Sequence, residues 1–362
     1  KKTDHRVYLY LGAANYDAKV YLNGTKVGEH IGGHTPFNME VTNQIKDGEN
    51  FVVVKVDNKR TAEGVPTLNC DWFNFGGITR DVMLVEVSQT YISSYYVQLK
   101  KGSKDTLTGY VKMDGAVASH KVQLEIPGLR IKKELTTDAK GYASFEIKEK
   151  PILWSTENPY LYQVSLSTDT DKVTDEIGFR TIETKGRQIL LNGNPVLLKG
   201  ISIHEEAPFR SGRICSEEED LTLLNWAKEL GCNYVRLAHY PHNEKMVRLA
   251  EKMGLMVWSE IPVYWTIQWE NKDTYQNAHN QLMEMIERDQ NRAAVIIWSI
   301  ANETPHGEAR DRFLSNLAKA AREKDNSRLL SMAMERSDKS ATVLSIQDKM
   351  SEYVDIISCN QY

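Results

Sequence analysis

Six stretches of this chain end on side chains that can move a proton or hold a hydroxyl: His204-Glu205-Glu206, Arg236, His239-Tyr240-Pro241, Glu260, Asn302-Glu303 and Asn360-Gln361-Tyr362. The most specific is the run Val295-Ile296-Ile297-Trp298-Ser299-Ile300-Ala301-Asn302-Glu303. Its continuous apolar lead reads as a strand buried on both faces. In a parallel barrel the carboxyl ends of the strands carry the chemistry. Glu303 is then an acid or base on a rigid strand tip. Taken alone, the run also fits a helix N-terminus with Glu303 as an early-turn charge. One polar strand end is noise, whereas several converging on one mouth are a signal. Trp258, Trp265, Trp269 and Trp298 are interleaved with them. Carboxylates, imidazoles, amides and an Arg beside aromatic faces suit a sugar, whose ring faces are apolar and whose hydroxyls need paired donors and acceptors.

The elements that must position these residues fall into three blocks. Residues 1 to 90 are β-rich, with a hairpin turning at Asn23-Gly24 and strands over Phe51–Val56 and Val82–Val87. Residues 91 to 181 repeat the theme with strands over Tyr95–Leu99, Thr106–Met113, Lys121–Ile126, Ala143–Ile147 and Leu161–Thr168, which fits an immunoglobulin-like sandwich. Pro151 to Pro159 reads as an ordered loop. From residue 182 strand and helix alternate. A strand over Val196–Ile201 precedes Ser216-Glu217-Glu218-Glu219, which has the form of a capping box. The helix it opens stops at Gly231, and later helices cover Glu244–Met253, Tyr275–Gln290 and Ala309–Lys324. Further strands are expected over Asn233–Leu237, Leu255–Trp258, Leu329–Met334 and Val354–Ser358. This is a parallel βα array with six strands. An eight-stranded barrel needs ~250 residues, and the chain supplies roughly 180 from residue 182 on.

Composition bounds the rest. A length of 362 residues and a net charge of −4 indicate a multidomain globular chain with no nucleic-acid footprint. No apolar run approaches the roughly 20 residues of a membrane span. Cys70, Cys215, Cys232 and Cys359 lie far apart in no metal-like spacing and read as free thiols. Lys1-Lys2-Thr3-Asp4 runs straight into Val7–Leu11 without Met or leader, which reads as a start inside a longer protein. The compartment stays open between periplasmic or secreted and cytoplasmic.

Two long stretches resemble the signatures of glycoside hydrolase family 2, the family of β-galactosidases, β-glucuronidases and β-mannosidases. One is Asn233-Tyr234-Val235-Arg236-Leu237-Ala238-His239-Tyr240-Pro241 with Gly254-Leu255-Met256-Val257-Trp258. The other runs from Asp289-Gln290-Asn291-Arg292 through Trp298-Ser299 to Asn302-Glu303. Gly32 to Phe37 and Asp71 to Val82 resemble the family's jelly-roll sugar-binding domain, and Leu153 to Leu161 the closing phrase of its immunoglobulin-like domain. The implied architecture is a jelly-roll β-sandwich over 1–90, an immunoglobulin-like β-sandwich over 91–181 and an incomplete (β/α)8 TIM barrel over 182–362, truncated at both ends.

The resemblance implies Glu303 as general acid/base and Asn302 as a hydrogen-bond partner of the sugar 2-hydroxyl. His204, His239, Asp71 and Tyr362 would complete the substrate-binding set, with Arg236 and Glu260 as its charge network. Plainer readings stand beside these: Arg236 as a structural partner of a carboxylate, His204 as a loop histidine, Asp71 as a turn cap and Glu260 as a support one layer out. His34, His242 and His306 have no motif support and read as surface or structural. The family nucleophile is a Glu at the end of the seventh barrel strand. It is expected outside this chain, which alone should then hydrolyse nothing and would expose an unclosed barrel edge. Glu205 and Glu260 are not assigned that role. The expected activity is retaining, exo-acting β-glycoside hydrolysis, with β-galactosidase favoured over β-glucuronidase or β-mannosidase. The rivals are a non-catalytic carbohydrate-binding protein and an inactive fragment. Pro262 stands where large bacterial β-galactosidases carry a metal-binding His, so the visible ligands support neither magnesium nor sodium. A glycoside substrate is the expected partner, and a homo-oligomer is compatible.

Overall fold

The computed structural model describes residues 5–115, 118–340 and 343–361. Tyr362, one of the residues assigned to substrate binding, lies outside the described residues. No described helix is long and apolar enough to cross a membrane.

The first block is a β-sandwich. Phe37–Glu40, His5–Leu11 and Val82–Ser88 form one three-stranded antiparallel sheet, and Thr25–Ile31, Asp17–Leu22 and Val52–Asp57 form another. Strand alternation puts Val7, Leu9 and Leu11 of one sheet against Val20 and Leu22 of the other. The expected hairpin turns at Asn23 (φ 52°) and Gly24 (φ 83°), the left-handed pair a two-residue loop requires.

The second block has a three-stranded and a four-stranded sheet sharing a core of Val97, Val111, Leu124, Phe145, Val164 and Phe179. Two of its strands, Ile131–Thr136 and Lys172–Ile177, were not anticipated. Their apolar residues are too sparse to read, since Ile131-Lys-Lys-Glu-Leu135 buries only its two aliphatic ends. The expected loop from Pro151 to Pro159 carries no strand or helix, and its Trp154 is fully buried, with Nε1 donating to the Glu251 carbonyl at 3.0 Å.

The third block is a six-stranded parallel sheet whose strands neighbour one another in chain order. They are Gly200–Ile203, Tyr234–Leu237, Met256–Glu260, Val295–Asn302, Leu329–Met334 and Ile356–Cys359. Helices Glu217–Glu229, Glu244–Lys252, Lys272–Asp289 and Glu308–Lys324 follow the first four strands. This is the arrangement of an incomplete TIM barrel. Every residue of Val295–Asn302 is buried, as the apolar run requires.

Three expectations need correction. Val196 does not open the first barrel strand. It ends a small antiparallel sheet of Ile182–Lys185, Gln188–Leu191 and Asn194–Val196, whose second turn is an Asn192-Gly193 pair. The barrel strand starts at Gly200, where a Cβ would lie 2.1 Å from the Tyr234 carbonyl oxygen. Strand and helix also do not alternate throughout. Between the fifth and sixth strands the described residues form a hairpin, Ser337–Ser340 with Val343–Ser345, and a 3-10 turn over Lys349–Glu352. The capping box closes on one side only. Ser216 Oγ accepts from Glu219 N, but the Glu219 carboxylate accepts from Cys215 N at 2.9 Å and pairs with Arg210.

Candidate active site

The carboxyl ends of the second, third, fourth and sixth strands meet in one hydrogen-bonded network. Its centre is Glu260, 1% exposed at the tip of the third strand. Arg236 from the second strand pairs with it, with Nη2 at 3.1 Å from Oε1 and 3.0 Å from Oε2. His239 Nδ1 lies 2.7 Å from Oε1, Trp258 Nε1 donates to Oε2 at 2.9 Å and Ser299 Oγ at 3.1 Å. Burial opposes charge on Glu260, but the adjacent Arg236 and His239 outweigh it and hold the carboxyl at about 2. A 2.7 Å contact to a carboxylate fits Nδ1–H of His239 as donor.

Arg236 extends the network to the fourth and sixth strands. Its Nη2 donates to Asn302 Oδ1 at 2.7 Å and its Nη1 to Asn360 Oδ1 at 2.8 Å, while Asn360 Nδ2 donates to Asn302 Oδ1 at 3.0 Å. Strand alternation would turn Asn302 away from Ser299, which faces Glu260. A register shift between Ser299 and Asn302 resets the parity, so both reach the network.

Glu303 follows in the left-handed region, at φ 48°, with its N–H donating to Ala333 O at 2.7 Å. A non-glycine residue in that region is strained and held by its surroundings. The turn ends the strand and sets the carboxylate at the mouth, half-buried. Its Oε2 accepts from Trp265 Nε1 at 3.1 Å and faces Asn302 Nδ2 at 3.4 Å.

The first sandwich contributes to the same mouth. Trp72 is buried there, its ring 5.1 Å from Tyr264, 5.4 Å from Tyr240 and 5.8 Å from His239. Asp71 is exposed beside it, and its charge acts on His204. Burial, reinforced by His239, pushes His204 down to about 4, so its ring is neutral at physiological pH. Tyr240 OH lies 3.4 Å from His204 Nδ1.

Glu303, Asn302, His204, His239, Arg236 and Glu260 are therefore drawn together, with Asp71 at the edge. Of the four tryptophans read as sugar-stacking, Trp258 and Trp265 serve the mouth. Trp298 points the other way, donating to Asp325 at 2.9 Å, and Trp269 packs edge-on against Phe313. The cause is alternation, because Ser299 faces inward and its neighbour Trp298 must face the helices. His34 and His242 are buried in the interface with the sandwich, and His306 is half exposed beside Asp348, so none joins the network. Trp72, Tyr264 and Ser299 belong to the site without having been singled out. For Trp72 the adjacent Asp71 was the only signal.

The model described as "Glycosyl hydrolases family 2, sugar binding domain" matches residues 2–88, "Glycosyl hydrolases family 2" matches 90–180, and "Glycosyl hydrolases family 2, TIM barrel domain" matches 182–362. A Formosa agariphila protein provisionally named a beta-glucuronidase is 33% identical over 88% of this chain and 41% of its own length. A beta-galactosidase of Thermoanaerobacter pseudethanolicus is 31% identical over 82% of this chain and 42% of its own length. The crystal structure of an FMN-binding beta-glucuronidase from Facaelibacterium prausnitzii L2-6 superposes with a TM-score of 0.87 at 26% identity, over 99% of this chain and 58% of that one. The chain thus spans between two fifths and three fifths of the length of these proteins. With three models of one family laid end to end along it, the chain belongs to glycosyl hydrolase family 2.

Proposed function

We propose that the protein carrying this chain is a retaining, exo-acting β-glycosidase in which Glu303 is the acid/base. The observation that carries this reading is the position of Glu303: a half-buried carboxylate at the tip of the fourth strand, held by Trp265 and Asn302 above the buried Arg236–Glu260–His239 network. In the first step the Glu303 carboxyl gives its proton to the glycosidic oxygen while a nucleophile takes the anomeric carbon. In the second step the carboxylate takes a proton from the water that releases the sugar. Asn302, His204, His239 and Asp71 bind the sugar, with Tyr362 assigned to the same set. Arg236 and Glu260 fix the Asn302 amide and the His239 ring.

On this reading the nucleophile is not among the buried acids of this site. The engagement of these acids supports that. Glu260 already accepts from four side chains. Glu205 is 2% exposed, pairs with Arg80 at 3.0 Å and accepts from Asn243 N. Neither has a free oxygen to attack carbon. For the sugar, relatives named for β-glucuronides weigh at least as heavily as the one named for β-galactosides, so glucuronide stands level with the galactoside favoured from sequence.

The test uses the full-length protein on nitrophenyl and methyl β-glucuronides and β-galactosides. On the methyl glycoside, whose leaving group needs a proton, Glu303→Gln should lose roughly 10²–10⁴-fold in kcat/KM. On the nitrophenyl glycoside, whose leaving group does not, bond cleavage should suffer far less. Wild-type rates of Glu303→Gln on the methyl substrate would exclude Glu303 as the acid.

A further inference from the structure

Trp265 is an anomaly among the site's aromatic residues. Trp72 and Trp258 are buried and Tyr264 is 1% exposed, but Trp265 is 38% exposed. This is not looseness of its loop. Trp265 N donates to Asn302 O at 3.0 Å, Asn302 N donates to Val263 O at 2.9 Å, and Tyr264 bridges Asn302 in parallel register. The backbone of 263–265 is thereby zipped to the strand tip that carries Glu303. Trp265 itself sits at φ 51°, a left-handed conformation that a bulky residue keeps only when its surroundings impose it. One edge of the ring is fixed by Nε1 on Glu303 Oε2 at 3.1 Å, and the ring centroid lies 4.7 Å from that of Tyr264. A tryptophan so firmly held nevertheless leaves more than a third of its surface to solvent.

Its direction follows from depth. Asn302 and Glu260 are 2% and 1% exposed, so the polar network lies at the bottom of the mouth. Trp265 is exposed where Glu303, to which its Nε1 is bonded, is half-buried. The glycosidic oxygen must come within hydrogen-bond reach of the Glu303 carboxyl, and the leaving group is bonded to that oxygen. With the cleaved sugar below, the leaving group extends outward along the indole. We infer that Trp265 is the leaving-group platform, stacking on departing groups that have a flat apolar face: the C–H face of a pyranose or an aryl ring. This rests on the reading of Glu303 as the acid/base.

The test compares substrates of one glycone in the full-length protein: a disaccharide and a phenyl glycoside, which have a flat leaving group, and the methyl glycoside, which has none. The readout is the ratio of variant to wild-type kcat/KM on each substrate, in which intrinsic leaving-group reactivity cancels. Trp265→Ala and Trp265→Phe both drop the N–H on Glu303, so any loss through the acid is common to them, and the contribution of the ring is read as the ratio of Ala to Phe. That ratio should fall about tenfold or more on the flat leaving groups and no more than about threefold on methyl. An equal fall on all substrates would overturn the platform, since Trp265 would then act only through Glu303 or the fold. No fall on any would overturn it as well. Trp265→Leu gives the same comparison if the Ala variant does not fold. Glu303→Gln on the methyl glycoside separates the two readings: if it keeps full activity, the acid/base assignment fails whatever Trp265 does.

Discussion

Glu260 is a carboxylate that has been made unreactive. Arg236, His239, Trp258 and Ser299 occupy its oxygens, and burial removes competing water. The consequence is a pH signature. Its folded value of about 2 lies below the ordinary carboxylate value, so the ionised form is favoured by folding. That contribution is complete above the unfolded value, near 4.5, and is lost as pH falls from there toward about 2. It amounts to up to about 3 kcal/mol. Denaturant titrations at pH 5.5 and pH 3 should therefore show Glu260→Gln, although less stable at neutral pH, losing less stability between the two than the wild type does. Equal losses would mean the carboxylate is not held ionised. Glu303 contrasts with it. Trp265 and Asn302 contact it at 3.1 and 3.4 Å, and it is half-buried at the rim.

At the scale of elements, most of the barrel was legible because its signals are local. The apolar run of Val295–Asn302, the helix stops at Gly231 and Gly254 and the stripe of Leu282, Met285 and Ile286 all carry their periodicity in sequence. What misled was a run with two explanations. Val196 to Ile201 is apolar enough for a strand, yet the Asn192-Gly193 turn gives its first residue to a hairpin. The hairpin between the fifth and sixth strands has no strong pattern to read. Gly254 illustrates how one residue serves two elements. It ends the second helix at φ 70°, and a Cβ there would meet Thr156 O of the neighbouring sandwich at 2.4 Å. Gly254→Ala should destabilise by about 1–3 kcal/mol, from the left-handed backbone and the clash together. Gly231→Ala, also at positive φ but with nothing within 4 Å, provides the control and should lose less. Thermal melts of the two variants make the comparison.

Across the whole molecule, part of the second family signature proves to be a joint. Gln290 and Asn291 donate to Tyr95 O at 3.1 and 3.0 Å, and Asn291 Oδ1 accepts from Val97 N at 2.9 Å. Arg292, 2% exposed, donates to Glu176 O at 2.8 Å and Glu251 at 3.0 Å and pairs with Asp175. These residues fasten the immunoglobulin-like sandwich to the base of the strand that ends in Glu303. Arg80 does the same for the first sandwich, donating to His34 O at 2.6 Å, Pro241 O at 2.6 Å and Glu205 at 3.0 Å. Arg292→Met would leave Glu251 without its cationic partner and Asp175 with Arg248 and the Tyr95 hydroxyl. A buried pair broken on one side typically costs 3–5 kcal/mol, so the variant should unfold at clearly lower denaturant, by roughly that amount. A loss below about 1 kcal/mol would show that the sandwich is held by other contacts.

Sequence alone determined the family and the three-block order and singled out Glu303 as the expected acid, because periodicity, turn pairs and long motifs are written in contiguous residues. Only the tertiary structure decided what each polar strand end does. It separated Glu260, buried and engaged by four side chains, from Glu303, half-buried at the rim. It turned Trp298 to the core and Trp265 to the mouth, and it brought Trp72 in from a sandwich some 190 residues away in the chain. Those outcomes depend on which neighbour takes each donor and acceptor, and that is fixed by strand register and by the docking of one block on another.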